Sequence, residues 1–152
     1  MRNILIYLDN QATTPIDPRV AIFMHELQQS TYGNPSSIHR EGQAARAVIE
    51  KSRRELAISL CCSPEEIIFT SSGSESNNMV LKGLLKSGDH FITSSYEHPA
   101  VLKVLPYLED NGVEYSLVKP NHNGIVQPES IEKEIRDNTR LISIMYVNNE
   151  LG

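Results

Sequence analysis

Short runs of β-forming residues alternate with helical stretches through the last two thirds of the chain, and this alternation limits the choice of fold most strongly. Strands alternating with helices of about ten residues favour βαβ units and a mostly parallel sheet. The sequence therefore predicts an α/β fold with helices flanking the sheet. The strand-like runs are Ile67–Thr70, His90–Thr93, Glu114–Val118 and Leu141–Val147. Three helices are predicted between these runs. The first carries Leu81, Leu84 and Leu85 on one side, the second covers Pro99 to Asn111 with a bend at Pro106, and the third covers Pro128 to Asp137.

The N-terminal third is predicted to contain one short strand and two helices. The strand covers residues 1–8, and Asp17-Pro18 is typical of a helix start, with Asp as the N-cap and Pro in the first turn. A loop rich in Gly, Pro and Ser covers 32–37, and a long amphipathic helix follows over 38–60. We expect residues 1–15 to form an N-terminal arm and residues 16–152 to form the main domain.

Composition and charge exclude several classes of partner. The 152-residue chain has a formal net charge of −5, which disfavours nucleic-acid binding. No apolar run approaches the roughly 20 residues that span a bilayer, so we predict no membrane segment. The adjacent cysteines Cys61 and Cys62 form a poor disulfide framework and favour a reducing, cytoplasmic setting. The five histidines have no metal-ligand spacing, so no metal site is predicted.

A Ser/Gly turn between a predicted strand and a predicted helix is the first candidate for ligand binding. Small residues over 72–74 let the backbone curl around an anion, and the helix N-terminus adds N–H donors and a partial positive charge. The turn therefore predicts a phosphate-binding site. The alternative is purely structural, because Ser72 and Glu75 have the spacing of a capping box.

Two further polar segments leave predicted strand ends, where ligands bind in open parallel sheets. His98 follows a strand and precedes a helix-starting proline, so its imidazole is placed to stack on a flat ligand or to move a proton. Local hydrogen bonding at a helix start is the alternative. Asn148, Asn149 and Glu150 follow the last strand, where their polar groups can orient a ring substituent, or form an ordinary turn.

These segments together resemble the cysteine desulfurases, a family of class V aminotransferases with the type I fold of pyridoxal-phosphate (PLP) enzymes. The resemblance runs in family order along almost the whole sequence, and it implies an incomplete PLP-transferase large domain over 16–152, an N-terminal portion of the family's length. The matching segments are Tyr7–Pro15, Tyr32–Ser37 with His39 and Gly42, Glu66–Ser71, Glu75–Asn78, Ile92–Ser94, Glu97-His98, Asn123-Gly124, Ser143–Met145 and Val147–Glu150.

The resemblance implies a role for four residues. Gly73 and Ser74 are expected to hold the PLP phosphate, His98 to stack on the pyridine ring and assist proton transfer as the catalytic residue, and Asn149 to bind the ring hydroxyl. Such enzymes convert L-cysteine to L-alanine and pass on persulfide sulfur for iron–sulfur cluster assembly or tRNA thiolation. The cofactor supplies the electron sink, which the protein positions and tunes.

Two departures from the family pattern affect this expectation. Ser72 stands where the family usually has glycine, which weakens phosphate binding if the backbone there needs positive φ or close approach. The family's Schiff-base lysine, which follows a Ser-x-His motif, and its persulfide-forming cysteine have no counterpart in residues 1–152. We therefore expect this chain alone to be inactive.

Three interpretations remain open from the sequence. The chain is one piece of a split desulfurase, with the C-terminal half on another polypeptide; a non-catalytic interaction or dimerisation module; or the product of a decayed gene. The strong strand just before the last residues also predicts an open sheet edge, and hence self-association, with a homodimer as the first expectation.

Overall fold

The computed structural model describes residues 6–152, which form two compact units. One ends at Phe69 and the other spans Thr70–Gly152. Residues 6–8 of the predicted N-terminal strand are not in a strand, and the rest of that prediction lies outside the described residues.

The unit ending at Phe69 is built from two helices. Helix α1 spans Pro18–Ser30 and helix α2 spans Arg40–Leu60. The predicted start of α1 is confirmed, because the Asp17 carboxylate accepts the main-chain N–H of Arg19 at 2.8 Å. Helix α1 has no buried residue, so its apolar side chains remain largely exposed.

The loop over 32–37 lies tightly against the first turn of α2. A Cβ atom on Gly42 would lie 2.5 Å from the carbonyl oxygen of Ser37 and 2.6 Å from that of Asn34. A Cβ on Gly33 would meet the backbone of Glu41 at 2.3 Å. Both glycines are therefore required by the close approach of backbone to backbone.

The predicted strand over 67–70 is wrong, because this segment pairs with no strand in residues 6–152. Its main chain is held instead by a side chain from α2. The guanidinium of Arg53 donates to the Ile67 carbonyl, and it lies 4.9 Å from the ring centroid of Phe69. A short 3-10 turn, Pro64–Glu66, leads into the segment.

The unit Thr70–Gly152 is a three-stranded parallel sheet with helices between its strands, which confirms the predicted α/β class. The order across the sheet is β2-β1-β3, and the central strand β1 is buried at every position. Its elements in chain order are α3 Gly73–Leu84, β1 His90–Ser94, α4 Pro99–Leu102, α5 Leu105–Asp110, β2 Glu114–Val118, α6 Pro128–Glu132 and β3 Thr139–Ser143.

The hydrophobic core of this unit lies between the sheet and helices α3, α4 and α5. Phe91 of β1 is fully buried at its centre, and Leu81 of α3 is 2% exposed. Burial of such side chains contributes roughly 1.5–3 kcal/mol each. The complete cluster consists of Leu81, Leu85, Phe91, Val101, Val104, Leu105, Leu108 and Val113.

Three elements differ from their predicted bounds. The predicted helix 99–111 is divided into α4 and α5, because Pro106 has no N–H to donate to the carbonyl of Leu102. Helix α6 ends at Glu132 rather than at residue 137. Strand β3 ends at Ser143 rather than at residue 147, because the N–H of Met145 donates to the Glu97 carboxylate at 2.9 Å instead of continuing along the strand.

No helix within residues 6–152 is both long and apolar enough to cross a membrane.

Candidate functional site

Two of the polar segments that the sequence predicts to bind a ligand begin at the carboxyl ends of adjacent strands. His98 is the fourth residue after β1, and Asn149 is the sixth residue after β3. Because β1 and β3 are parallel, these segments emerge at the same edge of the sheet. The topology therefore places both candidates where ligands bind in this class of fold.

The N-terminus of α3 is capped by side chains and still has free main-chain donors. The Ser72 hydroxyl accepts the N–H of Glu75 at 3.2 Å, and the Glu75 carboxylate accepts both the N–H and the hydroxyl of Ser71, at 2.6 and 2.7 Å. These hydrogen bonds hold the pKa of Glu75 below its ordinary value. Among the described residues, the N–H groups of Gly73 and Ser74 have no acceptor. Capping and anion binding are therefore compatible here.

The serine at position 72 does not strain the backbone. Its φ of −166° and ψ of 163° describe an extended conformation that any residue adopts. The concern that glycine is needed there for positive φ is therefore removed. A Cβ on Gly73 would meet no atom within 4 Å, so the turn has open space in front of it.

The imidazole of His98 is oriented by a hydrogen bond at the start of α4. Its Nδ1 accepts the N–H of Ala100 at 3.0 Å. Since a main-chain N–H can only donate, Nδ1 carries no proton while this bond is made. The neutral ring is then protonated at Nε2, which leaves that nitrogen as the donor towards a ligand.

Ser74 and His98 line the same open cavity, of about 390 Å³, between α3 and the α4–α5 segment. Asn78 lies one turn beyond Ser74 and donates to the Ser74 carbonyl at 2.9 Å. Lys82 and Lys103 also line the cavity, which has no acidic residue in its lining. The cavity therefore presents hydroxyl, amide, imidazole and ammonium groups, a set that favours an anionic ligand.

Asn149 lines a neighbouring cavity of about 410 Å³, together with Glu97 and Asn148. Pro99, the residue after His98, lines both cavities. The structure thus brings Ser74 and His98 into one cavity and places Asn149 in the next one. The two cavities meet at the first residue of α4.

Two residues in this region make contacts that the sequence interpretation did not predict. Glu97 is 7% exposed, and Asn148 bridges the segments after β1 and β3. A sequence signal for Glu97 exists, because a carboxylate three residues after a buried strand needs hydrogen-bond partners if it is buried too. The signal for Asn148 is weaker, since asparagine is common where a strand breaks into a turn.

Residues 6–152 contain no group of three or more His, Cys, Asp or Glu side chains arranged to hold a metal ion.

The parallel α/β unit and its polar strand ends are those of a class V aminotransferase. The chain belongs to that family, since the family model described as "Aminotransferase class-V" matches residues 6–152. Similar curated proteins are cysteine desulfurases, which confirms the resemblance inferred from the motifs. Cysteine desulfurase IscS of Pseudomonas syringae pv. tomato is 44% identical over 154 residues, and IscS of Dictyoglomus turgidum is 44% identical over 151 residues.

Solved structures agree with the sequence relatives. A "NifS-like protein" matches with a TM-score of 0.92 and 39% identity, covering 98% of this chain and 42% of that one. A structure described as "SspA in complex with cysteine" matches with a TM-score of 0.87 and 38% identity, covering 95% of this chain and 43% of that one. Each IscS alignment covers 97% of this chain, which spans 38% of the length of these curated relatives.

Proposed function

We propose that the chain supplies the phosphate- and ring-binding side of a PLP site in a cysteine desulfurase, which converts L-cysteine to L-alanine and passes on persulfide sulfur. The main observation in support is that Ser74, at the N-terminus of α3, and His98 line the same cavity. PLP would supply the electron sink for chemistry at the amino-acid α carbon. Family membership and the similarity to cysteine desulfurases support the choice of reaction.

The residues present fit the phosphate end of the cofactor. Gly73 and Ser74 offer main-chain N–H groups without an acceptor among the described residues, and Ser74 adds a hydroxyl. The positive end of the 12-residue helix α3 favours a dianion at this position. The open space at Gly73 leaves room for the phosphate oxygens.

The residues present also fit an aromatic ring with a polar substituent. His98 would stack on the pyridine ring and hold or release a proton at Nε2, because Nδ1 is occupied by the N–H of Ala100. Asn149 would bind the ring hydroxyl from the neighbouring cavity. His98 is thus proposed as the catalytic residue, and Gly73, Ser74 and Asn149 as cofactor contacts.

Turnover is expected to need residues that the 152-residue chain does not contain. None of its lysines follows a Ser-x-His motif. Lys82 and Lys103 line the cavity of Ser74 and His98. Lys82 belongs to helix α3, where its ammonium lies 4.4 Å from the ring centroid of Tyr107, and Lys103 lies in the turn between α4 and α5. The chain mixed with PLP and L-cysteine should therefore release no sulfide.

A second polypeptide that completes the sheet is the proposed partner. Strands β2 and β3 each pair only with β1 among the described residues, so each has one free edge. A C-terminal family fragment should restore sulfide release on co-expression if the chain is one half of a split enzyme. A stable homodimer without restored activity would favour the interaction module instead.

The free thiols of Cys61 and Cys62 agree with a reducing compartment, for which we propose the cytoplasm.

A PLP titration followed by fluorescence or calorimetry tests the site directly. Ser74→Ala should weaken PLP binding about tenfold, through loss of a hydrogen bond to a charged group. Ser130→Ala is the matched control, because Ser130 is also a first-turn serine, in α6. A wild-type chain that does not bind PLP, or a Ser74→Ala variant that binds as tightly as the control, would refute the proposed site.

The role of His98 is tested with a second matched pair. His98→Gln should weaken PLP binding about fivefold, through loss of ring stacking. His122→Gln removes an exposed loop imidazole and should leave the affinity unchanged. Equal affinities of the two variants would remove His98 from the proposed site.

A further inference from the structure

The carboxylate of Glu97 ties the segment after β1 to the segment after β3. Its Oε1 atom accepts the hydroxyl proton of Ser94 at 2.9 Å and the N–H of Met145 at 2.9 Å. Ser94 is 1% exposed and Glu97 is 7% exposed, so the bond between them is buried, and the bond from Met145 is partly buried. A buried donor that loses its acceptor is costly, which makes this link a fixed part of the folded state.

The side chain of Asn148 makes a second link between the same two segments. Its Nδ2 donates to the Tyr96 carbonyl at 2.7 Å, while its Oδ1 accepts the N–H groups of Glu150 and Leu151 at 2.8 and 2.9 Å. The amide thus uses its oxygen to shape the turn around Asn149 and its nitrogen to fasten that turn to the segment that carries His98.

We propose that Glu97 and Asn148 are positioning residues that fix His98 and Asn149 relative to each other, an inference that rests on the proposed cofactor site. His98 directly follows Glu97 in sequence, and Asn149 directly follows Asn148, so the Cα atoms within each pair are about 3.8 Å apart. The links cross between the segments in opposite directions. The carboxylate before His98 binds the main chain after β3, and the amide before Asn149 binds the main chain after β1.

This arrangement reduces the freedom of two loops that would otherwise move independently. A site held within about 0.5 Å of its productive geometry needs contacts whose own positions are locked by surrounding hydrogen bonds. His98 is exposed and its own hydrogen bond, to Ala100, is local. Its location relative to Asn149 therefore depends on links made by other residues.

The decisive variant is Asn148→Asp, with Asn138→Asp as its matched control. Aspartate keeps the oxygen that accepts the turn N–H groups but replaces the donor to the Tyr96 carbonyl with an acceptor. Asn138 makes the equivalent bond at the other end of the same two strands, just before β1 and β3 begin. Its Nδ2 donates to the Gly88 carbonyl at 2.9 Å. The two substitutions have the same chemistry and the same change in charge, and they differ in location.

The experiment measures PLP affinity and the pH dependence of the bound-PLP absorption band in the full chain. Asn148→Asp should bind PLP about fivefold more weakly, from the loss of one hydrogen bond, and should shift the absorption profile because Asn149 contacts the ring hydroxyl. Asn138→Asp should change neither. Unfolding in urea verifies that both variants are folded.

A second pair of variants keeps the test decisive if one link is needed for folding. Glu97→Gln retains an oxygen that accepts both hydrogen bonds, so PLP affinity should stay within about twofold of wild type. Glu97→Ala should weaken it at least as much as Asn148→Asp. A folded Glu97→Ala variant with wild-type affinity and absorption profile would overturn the role of Glu97.

The outcomes separate this inference from the proposed function. A wild-type chain that binds no PLP refutes the cofactor site, and the positioning role falls with it. A wild-type chain that binds PLP while Asn148→Asp and Asn138→Asp behave alike leaves the cofactor site standing and overturns the positioning role alone.

Discussion

The Nε2 atom of His90 lies 3.0 Å from the hydroxyl oxygen of Ser116, across the interface between the first residues of β1 and the middle of β2. The Ser116 hydroxyl donates to Glu134 at 2.7 Å, so its oxygen accepts from Nε2. On the other side, His90 Nδ1 lies 2.8 Å from Thr139 Oγ1. The buried imidazole therefore links all three strands as a neutral ring protonated at Nε2.

Protonation of His90 is expected to destabilise the unit Thr70–Gly152 in mild acid. Burial holds the pKa of His90 below its ordinary value of 6.5; the Arg136 guanidinium lowers it further, while Glu114 and Glu134 oppose the shift. The unfolded chain therefore binds the proton more readily than the folded one. The stabilisation is complete above about pH 6.5 and is lost as the pH falls through the folded-state pKa, by at most about 1.4 kcal/mol per pH unit.

Urea unfolding across about pH 5 to 8 checks this prediction. His90→Gln should be less stable than wild type and should show a smaller loss of stability on acidification. His122→Gln, which removes an exposed imidazole, should keep the wild-type dependence. An unchanged slope in His90→Gln would assign the acid sensitivity to another group.

A side chain at position 42 is expected to disrupt the junction between the loop 32–37 and helix α2. The added Cβ of Gly42→Ala would lie 2.5 Å from the Ser37 carbonyl oxygen, and backbone atoms cannot move aside as a flexible side chain does. We expect a loss of about 1–3 kcal/mol in unfolding free energy, typical of overpacking.

Gly83→Ala is the matched control for Gly42→Ala, since both glycines lie in helices. A Cβ at Gly83 meets no atom within 4 Å, so alanine there should stabilise α3 by about 0.5–1 kcal/mol. Two substitutions of identical chemistry should thus move the denaturation midpoint in opposite directions. A Gly42→Ala variant as stable as wild type would show that the loop shifts freely.

The parts of the fold that follow from local chemistry were predictable from the sequence. Asp17-Pro18 defines the start of α1, and the β-type runs of β1 and β2 match their strands within one residue. In both cases the signal lies within a few adjacent residues, because a cap or a strand pattern depends on neighbours in the chain.

The parts that failed depend on contacts between distant residues. The segment 67–70 has the composition of a strand, but its Ile67 carbonyl is taken by Arg53, 14 residues away. The end of β3 is set by Glu97, which is 48 residues from Met145. The placement of His98 and Asn149 beyond the carboxyl ends of parallel strands was predictable from the sequence. The cavity shared by Ser74 and His98 and the links made by Glu97 and Asn148 needed the folded chain, because they depend on contacts between distant segments. The cofactor roles of Gly73, Ser74, His98 and Asn149 stay predictions.

Leu→Ala substitutions on the buried and exposed faces of α3 should lower the unfolding free energy by different amounts. Leu81 is 2% exposed and lies in the core against the sheet, so Leu81→Ala should cost about 2–5 kcal/mol in unfolding free energy. Leu84 is 54% exposed, and Leu84→Ala should cost less than about 1 kcal/mol. Comparable losses in urea denaturation would mean that Leu84 is covered in solution, for example by self-association.

The serine at position 72 is expected to stabilise α3 without limiting cofactor binding. Ser72→Ala removes the acceptor for the N–H of Glu75 and should cost about 1 kcal/mol, whereas Ser72→Gly should cost only a few tenths of a kcal/mol. Because Ser72 has an extended backbone that glycine is not needed to form, restoring the family's usual glycine should leave PLP affinity within about twofold of wild type. Urea unfolding and a PLP titration of the same two variants test both statements. A large gain in affinity for Ser72→Gly, with Ser72→Ala unchanged, would show that bound phosphate requires a backbone conformation at residue 72 that serine disfavours.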